Sequence, residues 1–417
     1  MALMMMVRWL IRRENNRFFL LWVSKALSEA IDWIHYFALI FYTHALTGSM
    51  LATGMALVFG SIPSLLLSHG GSVLASRRNC KFIIMVSNFL SFFLALFIGL
   101  RAFHGSPTVY EIYVVAFLMG GCKAFFRLVL AISISIVVPA NELNIAHSLA
   151  RLASNITEIA GPLVGGAVIA LYGAPMAFVA NGVLFLAAAV TGAFISIPHQ
   201  IDFSARGNLL NLRENLKYIK KNQTVRPIIF VMIMVVFFAR PMPMVLKVLL
   251  HEYYQIGSLG LGFLVGASAI GTLLTTSYLV ARPTWLGRTY MFLGFPAVSG
   301  IILVLVGWIQ NFYVAIGLMF LEGLVGGLGE ITFSILIQLA VPDQMQRRVF
   351  RSFSTVTAMV TPLSFAVAGV ALEKVGVQTI LSIGGFALVA GGLTLFKNAL
   401  QTMWRGGISS LISTSKS

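Results

Sequence analysis

Lys25-Ala-Leu-Ser-Glu-Ala-Ile-Asp-Trp-Ile-His-Tyr36 sets Lys25, Glu29, Asp32 and Tyr36 at spacings of four, three and four, inside an apolar run from about residue 17 to 45. On a helix these four side chains share one face roughly 60° wide. A run of this length spans a bilayer, which needs about 20 apolar residues. A charge at that depth costs several kcal/mol unless it meets a partner or a wet cavity. The stretch therefore predicts a membrane helix with a polar stripe turned toward an internal aqueous site. Glu29 and Asp32 are candidate proton-exchanging acids, with Lys25 offsetting their charge and Tyr36 extending the stripe. The plainer reading is an intrahelical Lys25–Glu29 pair that only eases insertion.

Eleven further apolar runs follow. The predicted spans are about 17–45, 49–74, 81–103, 109–138, 144–172 and 174–197 in the first half, then about 226–250, 257–281, 289–309, 312–340, 350–372 and 376–398. The expected fold is an all-α membrane protein of twelve transmembrane helices in two pseudosymmetric six-helix bundles. Residues 1–197 form the first bundle, 198–225 a cytoplasmic linker, 226–400 the second bundle and 401–417 a cytoplasmic tail. The linker's Leu209, Leu210, Leu212, Leu216 and Ile219 beside Arg213, Lys217, Lys220 and Lys221 suggest an amphipathic helix on the anionic inner leaflet, with a plain linker as the alternative. Prolines within the spans, at 63, 162, 241, 243, 296 and 362, predict kinks.

The composition agrees with this picture. The 417 residues are 58% hydrophobic and 10% charged, where a soluble domain has about a quarter charged, and little length remains for a soluble catalytic domain. The net charge of +16 would suggest nucleic acid in a soluble chain. Here its placement argues otherwise. Arg8, Arg12, Arg13, Arg17, Arg77, Arg78, Lys81, Arg206, Arg226, Arg282, Arg288, Arg347, Arg348, Arg351, Lys397, Arg405 and Lys416, with the linker cations, fall on one side if the spans alternate, and only Arg101 and Lys374 on the other. The positive-inside rule then puts both termini in the cytoplasm of a bacterial inner membrane, with membrane lipids rather than nucleic acid as surroundings. Cys80 and Cys122 predict no disulfide. The N-terminal apolar segment is too short for a cleavable signal.

Charges within the spans cluster in the first, fourth, fifth, seventh and tenth. Span four carries Lys123 and Arg127 after Gly120 and Gly121, glycines that allow close approach. Two deep cations need an anion, either a protein carboxylate such as Glu158 or the substrate. Span five repeats the first span's pattern with Arg151, Asn155, Glu158 and Pro162, and Arg151 is a candidate partner of Glu29 or Asp32. Span seven holds Arg240 at depth, and Lys247 where it would snorkel to the interface. Span ten holds Glu322 and Glu330, turned about 80° apart, with Ser334 and Gln338 below Glu330. How tightly a buried carboxylate holds its proton depends on the charges around it, a tunability that proton coupling requires. The same charge layout in both halves suggests the internal repeat of a secondary transporter. The histidines are scattered, and the sequence has no HExxH, no paired-cysteine metal spacing and no ATP-binding loop, so neither an enzyme, a metal nor a cofactor is expected.

The segment Ser72-Val-Leu-Ala-Ser-Arg-Arg-Asn-Cys-Lys81 resembles the signature loop of the major facilitator superfamily, G-x-L-A-D-R-x-G-R-K, through Leu74, Ala75, Arg77 and Lys81. Ser76 replaces the acid that in the family helps latch the outward-open state, so another contact must serve. Gly161-Pro162-Leu-Val-Gly165-Gly166 looks like the glycine-rich motif of the superfamily's drug antiporters. Asp32-Trp33 with Leu46-Thr-Gly-Ser49, Val138-Pro139 and Val341-Pro342 to Arg348-Val349 are similar to its macrolide-efflux and enterobactin-exporter branch. The resemblance implies alternating access by a monomer, with spans one, four, seven and ten around the cavity and Ala75, Arg77 and Lys81 in a gating loop. It also implies proton-coupled export of a small amphipathic molecule. The six cations and five acids within the spans suggest an anionic or zwitterionic substrate. Uptake of a small carboxylate or other metabolite, and a non-transporting receptor or regulator, are the competing readings.

Overall fold

The computed structural model describes residues 16–76, 80–105, 107–139, 142–194, 219, 222, 225–281 and 294–404. Every regular element among them is helical: α1 Asn16–Thr47, α2 Met50–Ser76, α3 Cys80–His104, α4 Val109–Val137, α5 Leu143–Ala193, α6 Val225–Ala239, α7 Met242–Leu249, α8 Ser258–Ala281, α9 Phe295–Trp308, α10 Phe312–Ala340, α11 Asp343–Val375 and α12 Val377–Trp404. A π-helical turn, Leu250–Tyr254, continues α7.

The local chemistry that starts and stops these helices recurs in the two halves. Thr108 and Glu111 form a reciprocal capping box at the start of α4: the Thr108 N–H donates to Glu111 Oε2 at 2.6 Å, and the Glu111 N–H to Thr108 Oγ1 at 3.3 Å. At the start of α10, Asn311 Oδ1 accepts the N–H groups of Tyr313 and Val314 at 3.0 and 3.2 Å. The fifth and sixth spans of each half are joined by a single glycine in the same conformation. Gly173 has φ 80° and ψ 165°, and Gly376 has φ 78° and ψ 162°. Only glycine adopts this backbone without strain, so the sequence fixes the turn at these two points.

Among the described residues eight helices are long and apolar enough to cross a membrane, and Val225–Ala239 with Met242–Tyr254, bent by 41°, makes a ninth when the pair is taken as one broken span. The apolar stretch Ile145–Ala193 is 49 residues long, about 74 Å of helix, more than twice a bilayer core, and the break at Gly173 divides it into two crossings. With the charged α1 and the 14-residue α9, the described helices are consistent with twelve crossings. Of the prolines, Pro63, Pro162 and Pro362 lie inside helices, whereas Pro296 lies in the first turn of α9, where its missing N–H is harmless.

The chain forms two compact units, Met1–Leu209 with Ser258–Gly262, and Leu210–Gly257 with Phe263–Ser417. Both are held by glycines that bring backbones together, the way apolar helices associate where burial from water offers no driving force. In the first unit a Cβ on Gly120 of α4 would lie 2.1 Å from the Gly60 carbonyl of α2, and one on Gly99 of α3 would lie 2.8 Å from Val179 of α5. The second unit repeats both crossings. A Cβ on Gly323 of α10 would lie 1.9 Å from the Ser268 carbonyl of α8, and one on Gly300 of α9 would lie 2.3 Å from the Gly385 carbonyl of α12. Arg101, near the end of α3, pairs with Glu111 of α4 at 3.2 Å.

The linker lies outside the described residues except for Ile219, Asn222 and Val225, the last of which begins α6. Ile219 is buried with Val225, Ile228, Ile229 and Val349, and Asn222 Oδ1 accepts the Val225 N–H at 3.1 Å, capping α6. Residues 405–417 of the expected tail also lie outside the described residues.

Candidate functional site: an ion-paired stripe in the first unit

Helix α1 is anchored against α5 by Trp22, whose indole N–H donates to the Leu149 carbonyl at 2.7 Å. One turn further on, Lys25 Nζ pairs with Glu29 Oε1 at 2.6 Å. Two hydroxyls of α5 complete the surroundings of this pair. Ser154 Oγ accepts from Lys25 Nζ at 2.5 Å and lies 3.2 Å from Glu29 Oε1; Thr157 Oγ1 lies 3.2 Å from Glu29 Oε2. A pair satisfied on both sides by hydroxyls is tolerable in an apolar setting, because little of its hydrogen-bonding capacity is left over.

Asp32 occupies the next turn and holds two cations from α4: Lys123 Nζ at 2.8 Å and Arg127 Nη2 at 3.1 Å from the same Oδ2. The Asp32 side chain is 15% exposed, against 38% for Lys123 and 61% for Arg127. Lys25 and Glu29 cancel, whereas the trio of Asp32, Lys123 and Arg127 carries one excess positive charge. Its cations face open space while its anion is half-buried. The arrangement can attract an anionic group to Arg127 and exchange a proton or a cationic group at Asp32.

These contacts revise two sequence expectations. Asp32 lies between Lys123 and Arg127, the place considered for Glu158, and Lys25, Lys123 and Arg127 pair with Glu29 and Asp32, for which Arg151 was a candidate. The reason lies in helix rotation. Ser154, Thr157 and Gly161 form the face of α5 that meets α1, and Arg151, Asn155 and Glu158 are turned about 90° away from it. Arg151 and Glu158 are exposed and Asn155 is half-buried.

The glycine-rich motif works as a packing surface. A Cβ on Gly161 would lie 2.6 Å from the Trp33 ring, one on Gly165 3.3 Å from Ile34 Cα, and one on Gly166 2.5 Å from the Ser258 carbonyl. Ser258 Oγ donates to the Gly166 carbonyl at 2.8 Å, and the Pro162 carbonyl lies 2.7 Å from where a Cβ on Gly262 would stand. Tyr36 meets the Trp33 ring edge-on at 6.3 Å. In the gating loop Lys81 sits half-buried in the first turn of α3; Arg77 and the Ala75 side chain lie outside the described residues.

In the second unit Glu322 is enclosed by α8, α9 and α10. Its Oε2 accepts from Ser268 Oγ at 3.1 Å and it is also hydrogen-bonded by Ser299. Glu322, expected on the cavity, is half-buried beside the Gly323 crossing, whereas Glu330 and Arg240 are exposed. Lys247, expected to snorkel, is buried at 6% exposed, with Glu252 as a charge that acts on it.

Sequence reasoning did not find the hydroxyls Ser154, Thr157, Ser268 and Ser299, which serve the acids; serines and threonines in apolar helices carry no signal until a neighbouring helix is placed against them. Nor did it find two buried sets of unpartnered polar atoms: His35 Nδ1 of α1, with its ring edge-on to Phe178 at 5.9 Å, and both amide atoms of the fully buried Asn181 of α5.

The chain is 25% identical to the uncharacterized MFS-type transporter YfiS of Bacillus subtilis (strain 168), over 91% of this chain and 93% of that protein. It is 19% identical to macrolide efflux protein A of Streptococcus pyogenes, over 91% and 96%. Among solved structures it resembles the nucleoside transporter NupG (TM-score 0.75, 13% identity, 92% of this chain and 99% of that one). It also resembles a bacterial homologue of the iron transporter ferroportin in an inward-facing state (TM-score 0.70, 16% identity, 93% and 100%). The family model of the Major Facilitator Superfamily matches residues 21–364, most of the chain. The chain belongs to the Major Facilitator Superfamily.

Proposed function

We propose that this protein is a secondary active transporter working by alternating access, exporting a small amphipathic anionic or zwitterionic molecule from the cytoplasm in exchange for protons. The observation that carries this reading is Asp32 held between Lys123 and Arg127. A carboxylate with two cations around it binds a proton or a substrate's ammonium group, but not both, so the two ligands compete. Competition for one carboxylate is the negative linkage that exchange requires. When the substrate's ammonium group displaces the proton and pairs with Asp32, Lys123 and Arg127 are left to take its anionic group. Glu29, Glu158 and Glu330 are the further proton-exchanging acids in this reading, and Lys25, Tyr36, Arg151, Asn155, Arg240 and Glu322 shape the binding surface or its support. Both termini lie in the cytoplasm and the protein acts as a monomer in a bacterial inner membrane. The efflux protein among its relatives supports the outward direction.

The test compares metabolites outside cells that contain or lack the protein, then follows the enriched compound in proteoliposomes under an imposed pH gradient. Proton-driven movement that Asp32→Asn abolishes, with normal expression, is the expected result. Accumulation inside the cells would instead support uptake. Undiminished transport in both Asp32→Asn and Glu158→Gln would overturn the coupling assignment.

A further inference from the structure

The seventh crossing, Val225–Tyr254, is interrupted at Arg240 and Pro241, at its midpoint in sequence, and bends there by 41°. Two prolines explain the break. Pro241 and Pro243 have no N–H, so the carbonyls of Phe237 and Ala239 lose the donors that a continuous helix would supply four residues on. The helix resumes when Met244 and Val245 donate to the Pro241 carbonyl at 2.9 and 3.0 Å. Ala239 and Arg240 are both exposed. Irregular backbone at membrane depth is tolerated where it is buried in protein or lines water, and exposure of this pair excludes burial. A charged guanidinium at that depth carries the same implication. The break therefore presents, at the C-terminal end of a half-helix in the second unit, an exposed cation and the exposed Ala239, with the half-buried Phe237 half a turn back. The helix dipole there favours positive charge.

We propose that the break in the seventh crossing is a second zwitterion subsite, separate from the Asp32 trio: for a headgroup held there the Arg240 guanidinium takes the anionic group, and the Phe237 and Ala239 carbonyls accept the N–H groups of the ammonium. The proposal rests on the transport reading above and specifies the headgroup chemistry it selects. Lysine in place of arginine would keep the charge but lose the planar fork that holds a carboxylate, sulfonate or phosphate.

The test is thiol labelling, which needs no transport. In a Cys80→Ala, Cys122→Ala background, Ala239→Cys in membranes is treated with a sulfonated (anionic) or a trimethylammonium (cationic) methanethiosulfonate reagent, with rates corrected for intrinsic reactivity. The anionic reagent should react about tenfold faster, and Arg240→Gln should remove that preference. 3-Aminopropanesulfonate should then protect the thiol at concentrations about tenfold lower than propanesulfonate, which has the same anion and no ammonium. The double variant Pro241→Ala, Pro243→Ala restores both N–H donors and should erase the difference between the two protectants. No labelling of Ala239→Cys, or no charge preference, overturns the aqueous break. Equal protection by the two sulfonates, or none by either, overturns the carbonyl subsite, a comparison that stands even if the double variant does not fold. Failure here leaves proton coupling at Asp32 untouched, since labelling requires no proton movement.

Discussion

Gly323→Ala and Gly317→Ala place the same methyl group on the same helix and should change stability in opposite directions. Gly317 lies on α10 with nothing within 4 Å of its Cβ position, so alanine there adds only helix propensity and should stabilise by about 0.5–1 kcal/mol. At Gly323 the methyl would stand 1.9 Å from the Ser268 carbonyl oxygen and 2.6 Å from its carbon. Real Cβ contacts do not fall below 3.0 Å, so α8 and α10 would have to separate by about 1.1 Å. Both neighbours are backbone, and no side chain can rotate to relieve the clash. Overpacking of this kind costs about 1–3 kcal/mol or more, which outweighs the propensity gain. The separation would also pull Ser268 Oγ from Glu322, now 3.1 Å away, leaving a half-buried acid with one hydroxyl partner fewer. Thermal unfolding of the purified protein in one detergent, followed by intrinsic fluorescence, reads both variants. A lower midpoint for Gly323→Ala and a raised or unchanged one for Gly317→Ala is expected. Equal shifts would refute the close crossing, and with it the claim that both units are built on the same helix contacts.

Asn181 is fully buried with both amide atoms unpartnered, so Asn181→Leu, of similar volume, should raise the unfolding midpoint by the equivalent of about 1–3 kcal/mol. A fall would mean that the amide serves an ordered water. Within the Asp32 trio, Lys123 is closer and less exposed than Arg127. Double-mutant cycles with Asp32→Asn should therefore give about 1–2 kcal/mol of coupling for Lys123→Ala and under about 1 kcal/mol for Arg127→Ala, and the reverse order would contradict the geometry.

The class of fold was legible because the bilayer imposes length and apolarity on each crossing, and because the chain repeats itself. The stripe of Lys25, Glu29, Asp32 and Tyr36 could be read from spacing alone, since helical periodicity fixes which residues share a face. So could the need of Lys123 and Arg127 for an anion. Which carboxylate supplies it could not be read, because spacing gives rotation about one helix axis and nothing about which neighbour each face meets. Asp32, on a different helix from the candidate Glu158, meets both cations. Glu322 shows the same limit: its sequence context suggests a cavity, but its surroundings are set by Ser268 and Ser299 on two other helices. The bend of the seventh crossing was foreshadowed by Pro241 and Pro243, whereas Pro63 and Pro362 sit within unbroken helices. Proline removes one donor at a time, and it was the pair two residues apart that interrupted the helix.

The account turns on Asp32 exchanging a proton against substrate. Proteoliposomes loaded with a pH-sensitive dye, challenged with the compound that the cells export, measure this directly. Wild-type protein should move protons counter to the compound, and Asp32→Asn should show no compound-dependent proton flux while reconstituting at the same density. Compound-dependent proton flux of wild-type size in Asp32→Asn would contradict the account.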